Sequence, residues 1–547
     1  MELHTTEVDG VGTFWVESGR PTLRASVMFR GGMADETLPT SGWTHLLEHL
    51  ALHGRERVDL DVNGSVDLLV TSFDVHGEAG DVVEHLRALT TWLADPDLSG
   101  LEHERKVLRA ESARRGGSAA ADAMLWRYGA RGPGLVAYDE PGLTRASVDA
   151  LLVHAARRFT TGNAVLCLDG PPPPGLSLQL RSGEALQTQA ATPCEQPLPG
   201  AYAGQDDVLC LSGLVRRSAA STALGRCLQR RLATRLRHEA GGSYAPWHGY
   251  HPVSTDTAVL LAGADLMPEL RPKAVSVARS VLQELMRAGP TREEVAEDAA
   301  VVVRTYRDPF NQPGTARFSA RAVLLGEETT DVEELVREAE QVTPDAVTET
   351  ARERQRTMLV GAPRAARVDD SITWLDAARP ARTTSGQRFR ALDHPVDRSV
   401  ITVSEHSVEV AWGDRGRAVD LARLAGAFAF PDGGRTLVDQ DGYAVAVEPS
   451  LWRNGGALRE RIDAVVPPHL VLPMEPRDPQ VVPRPKVTPA EHWRLRLRGA
   501  VRAWWVAPVG FGALAVAVRG TLSLNAMPVF ALSTLIFLSA WYRRDRR

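Results

Sequence analysis

Residues 42–54 read GWTHLLEHLALHG, and the fold turns on whether this run is an ordinary buried helix or one that also holds a metal. Leu46, Leu47, Leu50 and Leu52 recur at helical spacing and form an apolar face. Gly54 is a natural C-terminal stop, and Thr40 and Ser41 are candidate N-caps. On such a helix His45 and His49, four apart, can aim imidazole nitrogens at one point. Glu48, three beyond His45, lies on much the same side, close enough to reach a water held there. A catalytic zinc site takes three protein ligands and keeps one position open, so two histidines need a third partner. A buried helix with two satisfied histidines fits the same letters, and the rest of the chain has to decide.

The chain has 547 residues, 44% hydrophobic and 24% charged, which is globular composition with length for several domains. A net charge of −5 is too mild to imply a nucleic-acid partner. Cys167, Cys194, Cys210 and Cys227 have no C-x-x-C spacing and are too few for a disulfide framework, which points to a reducing compartment. The N-terminal MELHTTEVDGVGTFW has neither the basic region nor the apolar core of a signal peptide.

The C-terminal region differs. Residues 503–518, AWWVAPVGFGALAVAV, and 521–542, TLSLNAMPVFALSTLIFLSAWY, are apolar runs with aromatic residues at their ends. Arginines flank the pair on both sides, at Arg494, Arg496, Arg498 and Arg502 and again at Arg543, Arg544, Arg546 and Arg547. The expectation is a two-helix membrane hairpin with Arg519 in the far-side turn and the soluble domains cytoplasmic. A single span preceded by an interfacial segment is the alternative, and it puts the soluble part on the side opposite the C-terminus.

Between the ends the pattern is α+β. Residues 1–182 alternate strand-like runs (11–32, 66–77, 163–170) with helical ones (80–95, 99–115). Residues 183–206 are polar with several Pro and Gly and read as a linker. Residues 207–361 restart with a strand, a helix over 219–240, strands near 243–263 and helices over 270–289 and 292–307. That order echoes the first unit and suggests a divergent internal repeat. Residues 385–466 are β-rich with one helix and resemble a pleckstrin-homology-like module in pattern. Residues 467–489 are Pro-rich and read as a tether to the membrane.

Three local patterns carry chemistry. His45, Glu48 and His49 make the inverted H-x-x-E-H order. In LEHERKVLRAESARR, Glu104 and Glu111 lie seven apart, nearly two turns, and so share a helix face. A charged helix of that kind is otherwise an ordinary solvated surface. In RLRHEAGGSYAPW, Arg237 precedes Tyr244 by seven; a guanidinium and a phenol can steady an oxyanion, and a helix-end arginine with a core tyrosine is the plainer reading. With the preceding FRGGMADETLPTSG, the order and local spacing of these patterns resemble the pitrilysin/insulinase family of zinc metallopeptidases.

The resemblance covers about residues 1–360. It implies two tandem pitrilysin-type α/β domains, the second without a zinc site. It implies Zn²⁺ on His45, His49 and Glu111, with Glu48 as general base and Glu104 as the carboxylate that orients the site. Arg237 and Tyr244 would hold the substrate backbone and the developing oxyanion. The implied activity is endopeptidase cleavage of peptides or unfolded segments. The family's chamber is built from four such domains, so a chain with two implies a homodimer or a heterodimer with a related subunit. The gap from His49 to Glu111 is shorter than the family's, as if a helix before VNGSVDLLVTSF were missing. Asn63 and Gly64 would begin the strand edge that pairs with a bound peptide. A second class of function stays open: a catalytically silent, membrane-anchored interaction or assembly protein on the same scaffold.

Overall fold

The computed structural model describes residues 2–485 except 56, 116, 188–189, 309–310, 312, 330, 377–384, 395 and 414. Among the described residues a first unit takes in those of 2–391 and 398–483, and three domains lie in it; those of 392–397 and 484–485 fall outside that unit.

The first domain is a sheet of β1 (His4–Val8), β2 (Val11–Trp15), β3 (Leu23–Arg30), β4 (Asp61–Val66), β5 (Val70–Gly77) and β6 (Ala164–Leu168), in the order β1-β2-β6-β3-β5-β4. Helices α1 (Trp43–Leu52), α2 (Ala79–Ala94), α3 (Leu101–Arg115), α4 (Ala119–Tyr128) and α5 (Val148–Arg158) belong to the same stretch of chain. Leu46 and Leu47 of α1 are fully buried among Val27, Phe29, Phe73 and Leu89. Each such leucine contributes about 1.5–3 kcal/mol.

The second domain repeats the plan. Its strands β7 (Gly200–Ala203), β8 (Val208–Arg216), β9 (Trp247–Pro252), β10 (Thr257–Asp265), β11 (Leu359–Ala362) and β12 (Thr373–Trp374) run in the order β12-β7-β11-β8-β10-β9. Strand β2 is parallel to β6 as β7 is to β11, and the antiparallel series β6-β3-β5-β4 matches β11-β8-β10-β9. Its helices are α6 (Ala219–Leu232), α7 (Ala274–Arg287), α8 (Arg292–Arg307), α9 (Pro313–Leu324), α10 (Val332–Glu340) and α11 (Pro344–Arg356). The internal repeat is thus visible in strand order, where residue identity is too low to show it.

The two halves cover each other. Ala123, Met124 and Tyr128 of α4 pack against Cys210, Val259 and Leu261 of the second sheet. In return Ala316 and Ala320 of α9 pack against Phe14, Met28, Val165 and Cys167 of the first. Arg317 on α9 also donates to Ser26 and Ser72 of that sheet.

The third domain has two four-stranded sheets. One is β13 (Gln387–Arg390), β14 (Val400–Val403), β15 (Ser407–Trp412) and β16 (Arg415–Asp420). The other is β17 (Leu424–Ala429), β18 (Arg435–Asp439), β19 (Ala444–Val447) and β20 (Val471–Pro473). Helix α12 (Gly455–Val465) closes them through Leu458 and Ile462.

Two expected boundaries are corrected. The expected linker 183–206 ends in a strand, because Gly200–Ala203 pairs in parallel with β11. The expected tether 467–489 begins inside the third domain, because Val471–Pro473 pairs in parallel with β17. The expected spans 503–518 and 521–542 lie outside the described residues; among the described residues no helix is long and apolar enough to cross a membrane.

Candidate metal centre

Helix α1 begins without a side-chain cap of its own. Thr40 ends a preceding 3-10 turn, Ser41 follows it in an extended conformation, and the N-cap is Gly42 at φ 87°. Glu36 supplies what the expected caps do not. Its carboxylate accepts from the Gly42 N–H, the Thr44 N–H and the Thr44 hydroxyl at 2.8, 2.8 and 2.7 Å. Burial pushes Glu36 up to about 7, against the pull of those donors and of Arg158. A Cβ on Gly42 would meet the Cβ of Glu140 at 2.7 Å, so the positive φ and the close approach both require glycine. The Trp43 indole donates to the Gly142 carbonyl (2.9 Å) and fixes the helix start.

The buried leucine face turns the polar side toward α3 and β4. His45 Nδ1 lies 2.7 Å from Glu140 Oε1, and His49 Nδ1 lies 3.1 Å from Glu104 Oε2. An ionised carboxylate only accepts, so each Nδ1 carries the proton and each Nε2 presents its lone pair. Those two Nε2 atoms lie 3.8 and 3.9 Å from Glu48 Oε2, and His49 Nε2 is 3.6 Å from Glu111 Oε2. His45, His49 and Glu111 each offer a ligand atom, all within 4.8 Å of one another. Two imidazoles with fixed tautomers and one carboxylate make a donor set that fits zinc.

Glu48 is 5% exposed. Burial raises its pKa first, and Glu111 and Glu104 add to that; His45 and His49 pull the other way. Its room comes from the edge strand. A Cβ built on Gly64 would stand 1.9 Å from Glu48 Oε1. Strand β4 is the outermost of its sheet and follows α1 directly in the order of elements.

No protein-family model and no curated protein matches the sequence. Solved structures do resemble the chain. A protease from Helicobacter pylori matches with TM-score 0.56 at 13% identity, over 66% of this chain and 98% of that one. An M16 peptidase inactive domain from Pseudomonas fluorescens matches with TM-score 0.54 at 17% identity, over 66% and 97%. Pitrilysin matches with TM-score 0.50 at 16% identity, over 66% of this chain and 45% of its own. The fold is M16-like.

Within this M16-like fold the five residues of the first domain come together: His45, Glu48, His49, Glu104 and Glu111. Arg237 and Tyr244 come together separately, in the second domain. Arg237 sits on a π-helical turn, Ala233–Glu239, that continues α6, with its guanidinium 5.5 Å from the Tyr244 ring centre. The Tyr244 N–H donates to Asp265, and its side chain is 78% exposed.

Sequence reasoning missed Glu36 and Glu140. Glu140 stands 95 residues from the histidine it orients, in a left-handed conformation at φ 48° before Pro141. No local spacing signals such a partner. The third domain backs the segments that carry both residues: Leu38 and Leu135 pack with Ala425, Val438 and Leu472. Arg145 donates to the Pro468 and Val471 carbonyls.

Proposed function

We propose that the chain is a membrane-tethered zinc endopeptidase acting on peptides or unfolded segments. The observation that carries this reading is the convergence of His45 Nε2, His49 Nε2 and the Glu111 carboxylate beside a buried Glu48, next to an open sheet edge. His45, His49 and Glu111 would hold the zinc, which when bound polarises a carbonyl and acidifies a water. Glu140 and Glu104 keep the two imidazoles in the tautomer and orientation that binding needs. Glu48 takes the proton of the attacking water at its carboxylate and returns it to the leaving amine; the burial that raises its pKa favours holding that proton in between. The edge of β4, with Asn63 and Gly64, offers backbone N–H and C=O groups to an extended peptide.

Arg237 and Tyr244 would serve the site of another chain, in a homodimer or with a related subunit, and stabilise charge on the attacked carbonyl. The apolar runs 503–518 and 521–542 would anchor the protein, with the arginine flanks keeping the soluble domains cytoplasmic. Turnover of an unfolded reporter peptide by the wild type and by Glu48→Gln tests the reading. The variant should keep its metal and lose cleavage; an active Glu48→Gln would refute the assigned base.

A silent assembly protein on the same scaffold is the second reading. It is favoured by the Pseudomonas fluorescens neighbour, an inactive M16 domain, and by the added third domain. Metal-replete wild type with neither zinc nor turnover would support it.

A further inference from the structure

His53 belongs to the stretch that decides the fold, and the peptidase reading leaves it unused. It follows His49 by four, as His49 follows His45, so the three imidazoles follow one another along one side of α1. His53 caps the helix. Its Nδ1 lies 2.6 Å from Glu104 Oε1, the oxygen of that carboxylate not used by His49. His103, the residue before Glu104 on α3, brings its Nε2 to 3.9 Å from the same Oε1. The His53 and His103 ring centres are 5.5 Å apart. Each of the three residues offers a ligand atom, and these atoms lie within 4.8 Å of one another.

We propose that His53, His103 and Glu104 form a second site for a divalent transition-metal ion of the zinc class. Two imidazoles and one carboxylate suit zinc and not calcium or magnesium, which take oxygen ligands. The site is weaker than the first centre because its histidine side chains are 49% and 68% exposed and must be ordered on binding. Glu104 is the link between the two centres: one oxygen orients His49 and the other completes the second site. A cation on Oε1 draws on the same negative charge and repels a cation at the first centre. Occupancy of the second site therefore weakens binding at the first, and only this coupling rests on the peptidase reading.

Zinc titration of the full chain, by calorimetry with chelator competition, tests the proposal. The wild type should show a tight phase and then a weaker one. His53→Gln and His103→Ala should lose the weaker phase and keep the tight one, whereas Glu111→Ala should lose the tight phase and keep the weaker. A wild type that shows the tight phase alone, or a weaker phase unchanged in both histidine variants, would overturn the second site. A missing tight phase with the weaker one intact would instead strike the first centre and leave this proposal standing.

Discussion

Glu48 occupies space that only a glycine opposite it leaves open. In Gly64→Ala the new methyl would displace the Glu48 carboxylate. A base moved by about an ångström loses on the order of 100-fold in turnover, and the zinc content of that variant should stay that of the wild type. Steady-state kinetics beside metal analysis checks this, and equal loss of metal and turnover would contradict it. Removing the acceptor for the His45 imidazole, as in Glu140→Ala, should weaken zinc binding about 10- to 100-fold, measured by chelator competition. At this scale the sequence speaks unevenly. His45, Glu48 and His49 share one helix face, Glu104 and Glu111 share another, and both faces follow from local spacing. Glu36 and Glu140 reach the same helix by return of the chain, which no periodicity encodes.

Among the elements, α1 is fixed by its leucines, and its polar face follows. Leu47→Ala should cost about 2–5 kcal/mol in denaturant unfolding, the usual range for emptying a fully buried leucine site. Helix α2 carries a buried imidazole, His85, pushed down to about 4 by burial first and by Arg55 and Arg57 next. The folded protein resists the proton that the unfolded chain accepts near pH 6.5. Stability from this group is present above pH 6.5 and is lost as pH falls through about 4. The loss is on the order of 1–2 kcal/mol once solvent screening is allowed for. Unfolding of His85→Asn should show a shallower decline over that window, and an unchanged slope would count against the assignment. Helices α1, α2, α3, α6, α7 and α8 were legible from their periods, whereas α9, α10 and α11 were not read. Strand β7, GAYA, and strand β20, VLP, were not, because each is too short to show a period and exists through a distant partner. The exchange of α4 and α9 was hidden for a related reason: an amphipathic face does not say whose sheet it covers.

Over the whole molecule, both candidate metal sites among the described residues lie in the first of the two repeats. The pair Arg237 and Tyr244 stands in the second repeat after α6, where the first repeat has the loop that follows the histidine helix. If that pair serves a neighbouring chain's site, then Glu48→Gln and Arg237→Ala proteins, each inactive alone, should regain partial peptide cleavage when mixed and allowed to exchange subunits. Mixtures that stay inactive, with dimers present by light scattering, would oppose sharing between chains. The most direct measurement is zinc content of the full chain after dialysis against metal-free buffer, for the wild type, Glu48→Gln and Glu111→Ala. About one tightly held zinc per chain is expected in the first two, with loss of it in Glu111→Ala. A metal-replete wild type that retains none would contradict the metal centre and, with it, the peptidase.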